Sequence, residues 1–213
     1  MAILHRVKYI IMTLSVVNLS CQRGDRLLFE EQSFDLHSGE WLHVKGANGA
    51  GKTSLLRLLA GFTPPHQGEI LWNQENIAHH YYLYRQQLLY LGHQSGLKEE
   101  LTPLENLHLL QTLFNHPSNI HKTKQALIDF GLKGRIHLPC RFLSAGQKRR
   151  VSLSRLSLHP STLWILDEPF TALDTQASEF LTHTIQEHLN RGGMAVLTSH
   201  QPINLTNERT IQL

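Results

Sequence analysis

Eight residues, Gly46-Ala47-Asn48-Gly49-Ala50-Gly51-Lys52-Thr53, restrict this chain more than any other stretch. They match G-x-x-x-x-G-K-[ST], a phosphate-binding loop pattern that has physical content only between a strand and a helix. Both flanks are present. Glu40-Trp41-Leu42-His43-Val44-Lys45 alternates polar and apolar residues as a strand does. Ser54-Leu55-Leu56-Arg57-Leu58-Leu59-Ala60 is rich in helix formers and runs into Gly61, a helix stop. The glycines let the backbone curl with its N–H groups inward, a nest for phosphate oxygens, and the helix N-terminus adds its positive dipole end. Lys52 brings a mobile positive charge for the β- and γ-phosphates, and the Thr53 hydroxyl suits Mg²⁺. Ser54 continues the loop into the helix, so residues 46–54 form the expected ATP cradle. A glycine-rich turn alone could match the letters, but not with strand and helix both in place.

A chain of 213 residues suffices for one large α/β domain with a real core. Its net charge of +3 is too weak, without a basic patch, to argue for a nucleic-acid partner. No apolar run approaches the length of a membrane span, so any service to a membrane is expected from its side. Cys21 and Cys140 lie far apart, without metal-binding spacing, and read as free thiols in a reducing cytosol. The 15 histidines, including His79-His80, show no H-E-x-x-H or Cys/His spacing and are expected at scattered surface positions. In residues 1–11 basic residues precede the apolar stretch Ile10–Val17, as in a signal peptide, but the stretch is short and broken by Thr13 and Ser15. A disordered tail or a start codon upstream of the true Met12 is expected.

The chain alternates strands with helices. Thr13–Leu19 and Arg26–Leu36 read as strands, Ser38-Gly39 as a turn, 63–68 as a loop, and Glu69–Trp72 and Leu88–Leu91 as short strands. From Pro103 the pattern turns helical, with Leu104, Leu107, Leu110, Leu113 and Phe114 on one expected apolar face. His121–Phe130, closed by Gly131, and Gly146–Leu158 read as two more helices. Residues 95–158 are therefore expected to form a helical insertion between strands of the core. Leu163–Leu166, Thr175–Asn190 and Met194–Thr198 read as strand, helix and strand. The class is α/β, with a mainly parallel sheet covered on both faces.

Two further stretches carry chemistry. Thr162–Leu166 is an apolar strand ending in Asp167-Glu168, and in a parallel sheet such ends face the ligand crevice. Asp167 is placed to hold Mg²⁺ and Glu168 to polarise an attacking water. Leu143-Ser144-Ala145-Gly146-Gln147 opens the third helix, where a serine hydroxyl at a helix N-terminus makes a second anion site or an ordinary N-cap. One chain has little use for two γ-phosphate sites. Two chains arranged head to tail do, each capping the other's nucleotide.

Taken together, the phosphate loop, Leu-Ser-x-Gly-Gln, Asp167-Glu168-Pro169, Ala172-Leu173-Asp174 and His200 resemble an ABC-transporter ATPase subunit over nearly the whole chain. The resemblance implies a P-loop NTPase (RecA-like) core, an inserted helical subdomain and an N-terminal antiparallel β element. It implies a homodimer sandwich around ATP and Mg²⁺, with Ser144, Ala145, Gly146 and Gln147 on the partner's nucleotide. It makes Gln94 the glutamine that touches Mg²⁺ and the water and marks the surface facing a membrane permease. His200 becomes the histidine at the γ-phosphate, and residues 172–174 the loop that speaks across the dimer. Arg23 stands where an aromatic residue usually stacks on adenine. A guanidinium plane stacks as well, but with less selectivity for the base. Ala145 replaces a glycine of the signature.

A narrower resemblance rests on Lys52–Arg57, Tyr90–Thr102, Leu104–Leu107 and Leu143–Val151. These are similar to the ATPase subunits of bacterial cytochrome c maturation, a family historically described as haem exporters. It implies an ATPase held peripherally on the cytoplasmic face of the inner membrane, coupling hydrolysis to haem delivery. An ABC exporter of another substrate, such as lipid, drug or peptide, remains the alternative, because substrate choice lies in the membrane subunit. A nucleic-acid-handling ABC ATPase would need a long coiled coil or a second ATPase domain, and neither is expected within 213 residues.

Overall fold

The strand that leads into the phosphate loop, β3 (Trp41–Lys45), sets the architecture. Leu42 and Val44 point to one apolar cluster and Trp41 to another, so both faces of the strand are buried. Such two-sided burial is what a covered parallel sheet requires. A computed structural model describes residues 12–114 and 119–213; the expectation for residues 1–11 lies outside them. Within it β1 (Thr13–Arg23), β2 (Arg26–His37), β4 (Gln67–Trp72) and β5 (Glu75–Asn76) form an antiparallel sheet in the order β2-β1-β4-β5. A parallel sheet runs β6-β7-β8-β3-β9, with β6 Leu88–Leu91, β7 Leu163–Leu166, β8 Met194–Thr198 and β9 Glu208–Gln212. The helices are α1 (Lys52–Leu59), α2 (Tyr81–Gln86), α3 (Pro103–Leu113), α4 (Ile120–Asp129), α5 (Ala145–Leu153) and α6 (Thr175–Asn190).

Helix α1 lies between the two sheets. Its Leu55, Leu56, Leu58 and Leu59 are buried with Leu14 and Leu36 of the antiparallel sheet and Ile165 and Val196 of the parallel one. On the other face of the parallel sheet, Leu181, Ile185 and Leu189 of α6 pack against Trp164, Leu166, Ala195 and Leu197. Alternation along β7 and β8 thus feeds two cores from the same strands. Between β6 and β7 the helices α3, α4 and α5 gather a third cluster of their own around Leu107, Leu127 and Val151.

Several expectations need correction. Helix α3 buries only the start of its expected stripe: Leu107 is buried and Leu104 packs on the same cluster, but Leu113 is 68% exposed and Phe114 43% exposed, whereas Asn106 and Gln111 are buried. Polar satisfaction turns the helix: the Asn106 amide donates to the carbonyls of Lys98, Leu101 and Thr102 and accepts from the Lys98 N–H. The Gly146–Leu158 helix ends earlier, at Leu153, and tightens into a 3-10 turn over Ser154–Ser157. There the Ser154 hydroxyl bonds back to the Arg150 carbonyl, competing with the helix ladder. Strand β1 runs on to Arg23, and β2 to His37. Elements α2, β5 and β9 were not foreseen; β9 is short and polar, an edge strand whose pattern carries no apolar alternation. The histidines are not all superficial, since His43 is buried and His188 stacks on Trp164 with ring centroids 3.7 Å apart. Both cysteines are free and buried. No helix among the described residues is long and apolar enough to cross a membrane.

Candidate active site

Four neighbouring strands end on one edge of the parallel sheet, and each delivers a singled-out residue: β3 the phosphate loop, β7 Asp167 and Glu168, β8 His200, and β6 Gln94. This C-terminal edge is where open parallel sheets bind ligands. The cleft there has a volume of about 580 Å³. Asn48, Gly49, Gly51, Lys52, Thr53, Ser54, Asp167, Glu168, His200 and Arg23 line it. Gly46, Ala47 and Ala50 shape the loop without lining the cleft: the Lys52 ammonium donates to the Gly46 and Ala47 carbonyls at 2.7 and 3.2 Å, and the Ala50 N–H to Ala47.

Gly51 caps α1 in a left-handed conformation, φ +107°, and among the described residues no side chain caps that helix. A side chain at this position would be strained, and its Cβ would stand 3.0 Å from the Phe29 ring of β2. The antiparallel sheet therefore backs the loop at its closest approach. With the leading N–H groups of α1 uncapped, this helix end is prepared for an anion.

The carboxylates are held as a network. Thr53 donates its hydroxyl to Asp167 Oδ2 at 2.8 Å, and Thr198 donates to Asp167 Oδ1 at 2.8 Å. The Glu168 N–H in turn donates to Thr198 Oγ1 at 2.8 Å. Asp167 is 3% exposed and fully engaged. Glu168 has φ +48°, and its Oε1 is buried and makes no hydrogen bond among the described residues; His200 Nε2 stands 3.5 Å away, within ion-pair reach. Oxygen donors converging from Thr53 and Asp167 are the hard ligands that Mg²⁺ takes, so the residues present fit that ion.

Gln94 is not on this cleft. It lines an adjoining pocket that shares Thr53, His93 and Asp167 with it. Ser144, Ala145, Gly146 and Gln147 stand apart from both. Ser144 caps α5: its hydroxyl accepts from the Gln147 N–H at 3.2 Å, while the Gln147 side chain accepts from the Ser144 N–H at 3.0 Å. A Cβ on Gly146 would meet the Ala172 carbonyl at 2.5 Å, so the glycine is required by contact with this chain's own 172–174 loop. Arg150 pairs with Asp174, which also caps α6 through the Ala177 N–H.

The sequence did not single out Arg26, Leu28, His93 and Thr171 in the cleft, nor Thr198 and Arg149 behind it. Arg26 pairs with Arg23 across the β1–β2 turn, and strand register alone could have found it. His43, one turn of strand below the loop, sets its ring between Glu208 Oε1 at 3.1 Å and the Ser199 carbonyl at 3.3 Å. Only the arrival of β9 supplies Glu208.

Residues 29–171 match the ABC transporter family. A Haemophilus influenzae protein named cytochrome c biogenesis ATP-binding export protein CcmA is 48% identical over 200 residues, 94% of each chain. Its namesake in Dechloromonas aromatica is 50% identical over 188 residues, 88% of this chain and 92% of that one. Among solved structures, an ATP-binding subunit of an ABC transporter superposes with a TM-score of 0.78 at 29% identity, covering 88% of this chain and 79% of the other. A dimeric ATP-binding cassette in a post-hydrolysis state with ADP and Pi shares the fold, with a TM-score of 0.78 at 20% identity over 88% of both chains.

Proposed function

The chain belongs to the ABC transporter family of ATP-binding proteins, and we propose that it is the ATP-hydrolysing subunit of a membrane complex for c-type cytochrome biogenesis. The carrying observation is the likeness, over 94% of both chains, to a protein named for cytochrome c biogenesis and ATP-binding export. Haem delivery through a membrane permease is the finer reading, and the cytoplasmic face of the inner membrane its place. The whole chain serves as one ATPase domain, with residues 95–158 as an inserted helical subdomain.

The chemistry follows from the cleft. ATP phosphates replace the carbonyl contacts of Lys52 and take the free N–H groups of α1. Bound by Thr53 and Asp167, Mg²⁺ would neutralise phosphate charge. Glu168, with an unbonded oxygen, orients the attacking water and draws its proton. His200, 3.5 Å from Glu168, would meet the γ-phosphate. Gln94, whose pocket shares Thr53 and Asp167 with the cleft, would reach Mg²⁺ and the water from that side and report a docked permease to them. Arg23 and Arg26 take the adenine end. The signature residues Ser144–Gln147 act on the nucleotide of a second copy, so the working unit is a dimer.

The test is a cell whose only copy carries Lys52→Ala. Holo c-type cytochromes should vanish while b-type cytochromes persist. Normal c-type levels would reject the cytochrome reading and leave the ATPase standing.

A further inference from the structure

Three consecutive basic residues of α5 take three different partners. Lys148 bonds Glu99 at 2.6 Å and Arg150 pairs with Asp174, both ordinary ion pairs. Arg149 is different. It is 7% exposed, and its hydrogen bonds among the described residues go to backbone carbonyls: Nη1 to Gly92 at 2.9 Å, Nη2 to Asp167 at 2.8 Å and to Glu168 at 2.9 Å, and Nε to Pro169 at 3.4 Å. Burying a guanidinium costs stability that an apolar side chain of the same size would not, so packing alone does not account for it. What the fork does that an apolar chain cannot is tie two separate segments together by fixed geometry.

Those segments are the stem of the Gln94 loop, through Gly92, and the turn that carries Glu168. That turn needs holding. Glu168 is non-glycine with φ +48°, a conformation that persists only where surrounding bonds over-determine it. Its N–H is fixed by Thr198, and its carbonyl by Arg149 at 2.9 Å together with the Thr171 N–H at 3.2 Å; of these, Arg149 is the one that also reaches the Gln94 stem. We propose that Arg149 is a positioning residue for hydrolysis: from the signature helix it locks the Glu168 turn and the Gln94 stem into one unit. Movement of α5 on dimer closure is then passed directly to the base and to the glutamine loop. The inference rests on the reading of Glu168 as the base.

The experiment compares Arg149→Met, Arg149→Lys and Arg149→Gln in the complex assembled with its membrane partner, reading kcat and KM for ATP. An ångström of misplacement at a reacting group costs on the order of 100-fold, so Arg149→Met should lose roughly 30- to 100-fold in kcat with KM within about threefold. Lysine keeps the charge but not the fork and should still lose about tenfold. Wild-type kcat in folded Arg149→Met, or a loss expressed in KM, would each overturn the proposal. Should the methionine variant fail to fold, wild-type kcat in Arg149→Lys overturns it just as firmly. Glu168→Gln run in parallel separates the two readings. An active Glu168→Gln rejects the base, whereas an inactive one beside a fully active Arg149→Met rejects only the clamp.

Discussion

Two helix N-termini in this protein carry family motifs, and they are built in opposite ways. The N-terminus of α1 is left open: Gly51 caps it in a left-handed turn and no side chain among the described residues caps it. The N-terminus of α5 is closed: Ser144 and Gln147 bond each other's backbone in a reciprocal capping box. Open N–H groups beside a lysine await an anion, whereas satisfied ones have no unmet demand. The first end offers open donors within one chain, as the proposed phosphate site requires. The second is stable as it stands, and in the proposed dimer it would gain a ligand only when another chain brings one. A helix N-terminus is therefore informative through its cap, not through its dipole.

The sharpest break of this contrast would come at the open end. Lys52→Ala should lower ATP hydrolysis on the order of 1000-fold and weaken nucleotide binding, because the phosphates lose their cation. Wild-type turnover in the purified complex would show that the open end is not the site. Next, Glu168→Gln should retain ATP binding and hydrolyse roughly 100-fold or more slowly, since an amide accepts no proton. Its ATP-loaded form should accumulate as a dimer by light scattering, with the membrane partner present. An ATP-loaded form that stays monomeric would count against the shared site.

At the closed end Ser144→Ala separates the two roles of the cap. In the isolated chain it should cost about 1 kcal/mol of stability by denaturant unfolding, the usual value of a lost N-cap. In the assembled complex hydrolysis should fall about tenfold besides, from one lost charge-assisted hydrogen bond. A stability loss with no catalytic loss would leave α5 an ordinary capped helix. A control far from both ends is His188. Burial against Trp164 holds its pKa down at about 4, so the folded state binds fewer protons than the unfolded chain. Its contribution is whole above roughly pH 6.5 and is lost as pH falls through about 4. Thermal unfolding of wild type should drop more between pH 7.5 and 5 than that of His188→Phe. The smallest effect is expected at Arg23→Tyr, which should lower KM for ATP a few fold and raise discrimination against GTP by supplying a ring to stack on the base.

The sequence was legible where chemistry follows local order. The phosphate loop, Asp167 and Glu168 are written at fixed spacing within strand–loop or strand-end contexts, and the parallel sheet brought them to one edge. It misled where apolar spacing stood in for packing. Leu113 and Phe114 complete a convincing stripe, yet α3 is turned by the buried amide of Asn106.

By itself, then, the chain determined its class, its alternating strands with two buried faces, and the residues proposed to meet phosphate. These depend on periodicity and on motifs a few residues long. Tertiary structure alone decided that Arg149 would grip Gly92, Asp167, Glu168 and Pro169, that Thr198 would fix Asp167 and the Glu168 turn, and that β9 would bring Glu208 to His43. The physical reason is the acceptor. Every residue carries a carbonyl, so no letter of the sequence announces which carbonyls a buried guanidinium will find; only the folded backbone, by aiming four of them at one point, selects the partner.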